Sequence, residues 1–196
     1  MTRWAAITPW KQGPDTKSRL SAMLDETERM TLASAMAGTV LTCLSQVEAI
    51  GSLHLLAPTA VPAWPCQWLP DEGRGLNGEL DAARLHWGKR PIVIIHADLP
   101  CLTVDDVECL LAAAAASGAA FAPDRHGRGT NAVALADSAD FRFAIGPDSF
   151  ANHRGQRPDA AIIARVGLSF DVDTPADLDQ WRAMPGVQPL CRACAR

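Results

Sequence analysis

The chain has 196 residues, of which 48% are hydrophobic and 20% charged, and its formal net charge is −4. That balance excludes a wholly disordered chain and makes non-specific binding to nucleic acid or to an anionic membrane a poor primary function. No apolar run reaches the length of a membrane span, and the start, Met1-Thr-Arg-Trp, lacks a signal-peptide core, so the expectation is a cytoplasmic protein with one domain over 1–183 and a tail over 184–196.

Trp4 to Thr8 reads as a short strand stopped at Pro9. Asp25, with Glu28 three residues on, predicts a capping box opening a long helix. Met30, Ala33, Ala37, Val40, Leu41 and Leu44 recur there at three- and four-residue spacing and form one apolar face. Ser52 to Ala57 is a second strand. Pro58 to Pro70 is a loop with a short strand at Cys66 to Leu69, and Leu76 to Trp87 is a helix. The continuous apolar run Ile92 to Ala97 has the character of a strand buried on both faces. Thr103 with Asp106 predicts another cap, for a helix running to Ser117. Further strands are expected at Ala119 to Ala122, Ala132 to Leu135 and Ala160 to Val166, and a last helix starts at Pro175, where proline suits the first turn. This alternation predicts an α/β fold, a mixed, mostly parallel sheet with helices on both faces, whose ligands bind outside the C-terminal strand ends.

Three constellations fall at those ends. Asp98 follows the buried strand, and Asp171 and Asp173 sit two apart in an apolar stretch, so an extended chain points both to one face. Three such carboxylates suit Mg²⁺ with phosphate oxygens completing its shell; the alternative is an ordinary turn at Asp98 and a helix cap at Asp173. Lys11, Lys17 and Arg19 lie in the loop after the first strand and suit a polyphosphate, although neither a Walker A loop nor a G-x-G-x-x-G fingerprint is present. The loops Arg125-His-Gly-Arg-Gly-Thr-Asn131 and Ile145-Gly-Pro-Asp-Ser149 offer amides, hydroxyls and guanidinium groups for a small phosphorylated acid. His54 and His96 read as satisfied core groups, and His126 as the histidine that would touch a ligand. Cys43, Cys66, Cys101 and Cys109 read as small core hydrophobes. Cys191 and Cys194 form a lone C-x-x-C without a second ligand pair.

At these residues the chain resembles the guanylyltransferases of coenzyme F-420 biosynthesis (the CofC/FbiD family). The resemblance rests on Pro9-Trp-Lys-Gln-Gly-Pro-Asp-Thr-Lys-Ser-Arg-Leu20, Gly75-Leu-Asn77, Ala97-Asp-Leu-Pro100, Ala122-Pro-Asp-Arg-His-Gly-Arg-Gly-Thr-Asn131, Phe143-Ala-Ile-Gly-Pro-Asp-Ser-Phe150 and Asp171-Val-Asp-Thr-Pro175, in order from about Trp4 to Trp181. It implies a nucleotidyltransferase fold shared with molybdenum-cofactor enzymes, and transfer of GMP from GTP to 2-phospho-L-lactate, phosphoenolpyruvate or 3-phospho-D-glycerate with release of pyrophosphate. By the same resemblance Asp98, Asp171 and Asp173 would bind Mg²⁺. Thr130, Asn131, Gly146 and Ser149 would hold the phospho-acid, and Lys11, Lys17 and Arg19 would be catalytic groups facing the GTP phosphates. Gly75 and Asn77 would approach the guanosine, and a deazaflavin transferase would take the product. Asp148 stands where the family often has glycine, and Asp15 lies in the first loop. The opening Ile7-Thr-Pro-Trp-Lys11 differs from the L-A-G-G-x-S-x-R-M-G of molybdenum-cofactor and sugar-nucleotide transferases, the nearest rivals. A non-catalytic nucleotide-binding relic would predict decay at the three aspartates, all of which remain. Oligomeric state is open, with a homodimer among the options.

Overall fold

The computed structural model describes residues 3–185 apart from 12 and 62; Cys191 and Cys194 lie outside the described residues. In chain order these residues form β1 (Trp4–Pro9), a 3₁₀ turn (Ser18–Leu20), α1 (Glu26–Ser45), β2 (Ile50–Ala57), β3 (Gln67–Pro70), α2 (Leu76–Trp87), β4 (Ile92–Ile95), α3 (Val104–Ser117), β5 (Ala119–Pro123), β6 (Thr130–Leu135), α4 (Ser149–Gln156), β7 (Ala161–Ile162), α5 (Val166–Ser169) and α6 (Pro175–Arg182). The strands make one seven-stranded sheet in the order β3-β2-β1-β4-β6-β5-β7. All run parallel except β6, which lies antiparallel between β4 and β5.

Local sequence explains most of these elements. Three helices begin with complete capping boxes, Asp25 with Glu28, Thr103 with Asp106 and Thr174 with Asp177, each satisfying backbone N–H groups that a helix start would otherwise leave unpaired. The strand Ile92–Ile95 is buried on both faces because alternate residues enter different cores. Val93 and Ile95 join Ala6 and Leu55 under Leu41, Leu44 and Leu110 of α1 and α3. Ile92 and Ile94 join Ile7, Phe121 and Val133 under Leu80 of α2 and Phe141. Burying a side chain of this size contributes roughly 1.5–3 kcal/mol.

One expected strand is mostly absent. Of Ala160 to Val166, only Ala161–Ile162 pairs, parallel to Ala120 and Phe121 of β5. Ile162 is 40% and Val166 63% exposed, so an apolar run without a partner strand does not extend the sheet, and Val166–Ser169 turns into a short helix instead. Gly167 permits that turn to seat against α3: a Cβ there would overlap the Asp106 carboxylate and stand 2.7 Å from the Cys101 carbonyl.

Chain connections leave β1 in both directions across the sheet, through α1 to β2 on one side and, after β3 and α2, to β4 on the other. The crevice outside the C-terminal ends of β1 and β4 is therefore the topological switch point, where such sheets bind ligands. A cleft of about 670 Å³ opens there, lined by Trp10, Lys11, Lys17 and Arg19 after β1 and by His96, Ala97 and Asp98 after β4.

Candidate active site

Two distant stretches bring the carboxylates together. The Val172 N–H donates to the Asp98 carbonyl at 3.3 Å, and the Val172 side chain is fully buried with Phe170, Leu178 and Trp181. Alternation along the extended chain then turns Asp171 and Asp173 away from that core, as their spacing predicts. Asp173 is not the helix cap: Thr174 is, and the Asp173 N–H is taken by the Asp177 carboxylate at 3.0 Å. The Asp173 side chain is thus left for other work.

Lys17 takes it up. Its Nζ donates to Asp98 Oδ2 at 2.6 Å and to Asp173 Oδ1 at 2.7 Å, with only 10% of the side chain exposed. The residue adopts the left-handed region, φ 51°, at the turn into the 3₁₀ segment, a conformation disfavoured for a side-chain-bearing residue and held here by these long-range contacts. Burial works against the charged ammonium, but the two carboxylates outweigh it and raise the Lys17 pKa. Asp98 mirrors this. Burial favours its neutral form, yet Lys17 and then His96 hold the carboxyl below its usual range. Asp171 shifts the other way, raised by burial and then by the negative charge of Asp98. Its Oδ1 accepts from the Asn131 amide at 3.3 Å, so Asn131, expected beside the phospho-acid, also touches the carboxylates. Arg19, 73% exposed, approaches Asp173 at 3.5 Å. Lys11 lines the cleft and is exposed.

On the other side of β4 lies the loop between β5 and β6. Asp124 ties it into a knot, accepting from the backbone N–H groups of His126 and Arg128 at Oδ1 and of Gly129 at Oδ2. Gly129 is required there, since a Cβ would stand 2.7 Å from Asp124 Oδ2. Both guanidinium groups of this loop, which the sequence offered to a phosphorylated acid, pair with carboxylates of the protein. Arg125 lies 4.4 Å over the Phe170 ring, pairs with Asp177 and donates to the Asp171 carbonyl, which clamps the carboxylate segment from behind. Arg128 pairs with Asp148 at 3.3 Å, both well exposed. His126 is exposed and accepts from Arg125 Nε at 3.4 Å.

Thr130 begins β6 and Ser149 begins α4, and their hydroxyls meet at 3.2 Å. Gly146, with φ +137°, makes the turn before α4, and Asp148 follows in the left-handed region at φ 55°. The Asn77 amide brackets the Ile145 backbone, accepting its N–H at 2.7 Å and donating to its carbonyl at 3.0 Å. Asn77 thus holds the turn that leads to Gly146. Gly75 and Leu76 do line the cleft. The expectation of satisfied core histidines fails at one ring atom each, because Nε2 of His54 and of His96 is buried without a partner among the described residues.

Sequence reasoning missed α4 and, with it, His153. That histidine is fully buried between Phe121 and Phe141 and contacts Thr130. Its one signal is its place four residues after Ser149, on the same helical face.

A divalent cation fits the carboxylate set. Asp98 and Asp173 already converge on one cationic atom, and Asp98 Oδ1 is buried without a partner. Among the described residues no three His, Cys, Asp or Glu side chains form a ready-made metal cluster, but magnesium commonly uses one or two carboxylates and completes its shell with substrate phosphates.

Comparison with known proteins agrees with this geometry. The family model described as "Guanylyl transferase CofC like" matches residues 4–183. A phosphoenolpyruvate guanylyltransferase of Sphaerobacter thermophilus is 36% identical over 187 residues, covering 89% of this chain and 90% of the relative. The enzyme of the same name from Chloroflexus aurantiacus is 32% identical over 191 residues, covering 89% and 92%. Among solved structures, a nucleotide-diphospho-sugar transferase from Desulfovibrio desulfuricans G20 superposes with a TM-score of 0.75 over 100% of this chain and 94% of that one, at 17% identity, a likeness of fold.

Proposed function

The chain belongs to the CofC-like guanylyl transferase family and is a nucleotidyltransferase, and from that premise we propose that it transfers GMP from GTP to a three-carbon phospho-acid, phosphoenolpyruvate first among them, releasing pyrophosphate. The observation that carries this reading is the Lys17 ammonium held between Asp98 and Asp173 at the head of the cleft, a cluster of fixed charges. The names of the curated relatives support phosphoenolpyruvate over 2-phospho-L-lactate and 3-phospho-D-glycerate.

The chemistry needs little more than such charges. The attacking group is a phosphate oxygen of the acceptor, and a phosphate monoester has its second pKa near 6, so it is already ionised at neutral pH without a protein base. It attacks the α-phosphorus of GTP as the bond to pyrophosphate breaks. Lys11, Lys17 and Arg19 neutralise the triphosphate and the leaving pyrophosphate, and the fixed site holds the two substrates in line. Asp98, Asp171 and Asp173 would hold Mg²⁺. Bound there, the ion supplies Lewis-acid charge stabilisation to phosphate oxygens. Thr130, Gly146 and Ser149 hold the phospho-acid. In the same reading, the activated product passes to a deazaflavin transferase in coenzyme F-420 biosynthesis.

Pyrophosphate release from the purified protein with Mg²⁺, GTP and each acceptor in turn tests this, with ATP and CTP as controls and a deazaflavin acceptor with its transferase as a trap for a labile product. Release with GTP and phosphoenolpyruvate is expected. Silence with all three acceptors from protein that binds GTP overturns the proposal and favours a binding-only relic.

A further inference from the structure

The buried group that the mechanism leaves unused is His153, and its surroundings fix where its proton lies. Nε2 faces the Ala144 backbone N–H at 3.0 Å. A backbone N–H can only donate, so Nε2 is the lone-pair nitrogen and the ring proton is on Nδ1. Burial, and secondarily the charge of His96, lower the His153 pKa to about 4, so the ring is neutral at pH 7 and this single tautomer persists. Nδ1 in turn stands 3.1 Å from Thr130 Oγ1, which lies 3.2 Å from Ser149 Oγ.

Proton counting along this chain has one outcome. His153 Nδ1, Thr130 and Ser149 bring one proton each, while the two contacts joining them use one each. One hydroxyl proton remains, on Thr130 or on Ser149, and no protein acceptor among the described residues takes it. Both hydroxyl residues are almost fully covered, at 2% and 1% exposure, and a buried donor without an acceptor is costly to maintain. Had the ring carried its proton on Nε2, Thr130 would donate into Nδ1 and Ser149 into Thr130; no hydroxyl proton would be left over, but the Nε2–H would face the Ala144 N–H, donor against donor.

We propose that His153 is a positioning residue that forces the Thr130–Ser149 pair to present one hydroxyl proton outward, to an anionic oxygen of the acceptor. This rests on the placing of the phospho-acid at Thr130, Gly146 and Ser149. The ring itself touches no substrate. Its tilted packing against Phe121 and Phe141, with centroids 5.8 and 5.4 Å away, holds it in register, and the Ala144 N–H, two residues before Gly146, makes the acceptor turn the source of that register.

Two variants separate the ring's two bonds. His153→Asn keeps a donor near the Nδ1 position and loses the acceptor for Ala144, whereas His153→Gln keeps an acceptor near Nε2 and loses the donor to Thr130. With GTP and phosphoenolpyruvate, His153→Gln is expected to raise the acceptor KM about tenfold, the size of one directed hydrogen bond to a charged group. The KM for GTP should hold within about twofold, and His153→Asn should recover most of the loss, since it restores the donor. Equal effects of the two variants on the KM of both substrates, tracking a fall in melting temperature, would show a merely structural histidine. Thr130→Val, run in parallel, keeps the two readings apart. If it leaves the acceptor KM unchanged, the placing of the phospho-acid fails and this inference with it. If it raises that KM while His153→Gln does not, only the inference fails. Should a His153 variant not fold, the wild-type protein still decides: ¹⁵N-resolved imidazole NMR is expected to show the proton on Nδ1, and a proton on Nε2 overturns the proposal.

Discussion

The two sides of the sheet edge solve different problems with different forces. Around β1, β4 and the segment 171–173, the groups are charged, half open to the cleft and drawn from positions 81 and 156 residues apart in the chain. Around β6 and α4 they are neutral, buried and tied to one another and to backbone by hydrogen bonds. A field from fixed charges suits a triphosphate, whose burden is charge. Directed hydrogen bonds suit a small acid that differs from its competitors by one hydroxyl or one double bond, where unpaired polar groups give the stronger discrimination. On the proposed function, the contrast makes charge neutralisation and selectivity separable, and so separately breakable.

The largest effect is expected on the charged side. Asp98→Asn and Asp173→Asn should each lower kcat by about a thousandfold, on the scale of losing a transition-state electrostatic contact, while leaving the fold intact by circular dichroism. Near-normal turnover of both with Mg²⁺ would remove the metal assignment. Next, Lys17→Met strips two carboxylates of their shared cation and should cost roughly 2–4 kcal/mol in chemical denaturation, as breaking a buried pair does; a cost below about 1 kcal/mol would mean the pair is held by solvent.

The neutral side should answer to pH. His153 has a folded-state pKa of about 4, below its ordinary 6.5. Above pH 6.5 both folded and unfolded states hold it neutral and the stability is complete. As pH falls from 6.5 to 4 the unfolded state takes up the proton first, so stability drops by up to about 1.4 kcal/mol per pH unit. Asp171, its pKa raised by burial and by Asp98, contributes with the opposite sign, so the comparison is wild type against His153→Asn. The variant should show the shallower loss of melting temperature over that window, and identical profiles would place the imidazole in a less buried setting. The smallest effect sharpens the boundary between the two sides. Asp148→Gly relieves a left-handed residue and frees Arg128, and the relief and the lost surface pair offset to within about 0.5 kcal/mol. The freed guanidinium should lower the acceptor KM a few-fold; a raised KM would show that the pair itself grips the acceptor.

Much of the fold was readable locally. The helix at Glu26–Ser45 follows from apolar spacing, and the boxes at Asp25 and Thr103 from two residues three apart. The carboxylates were readable as candidates because each follows an apolar run at a strand end or in an extended stretch. The end of the chain read less well. The segment 160–166 looks like a strand, but an edge with room for two paired residues does not extend it, and α4, Ser149 to Gln156, carries too few apolar residues to announce itself.

Composition and spacing by themselves determined the class of the fold, the caps at Asp25 and Thr103 and the identity of the charged groups, because these rest on interactions within a few residues. Tertiary structure alone decided what each group faces. It set Asp173 against Lys17, paired Arg125 with Asp177, tied Asn77 to Ile145 and placed His153 beneath Thr130. Each of those choices is a competition among several partners of similar strength, and only the packing of distant segments sets the distances that decide it.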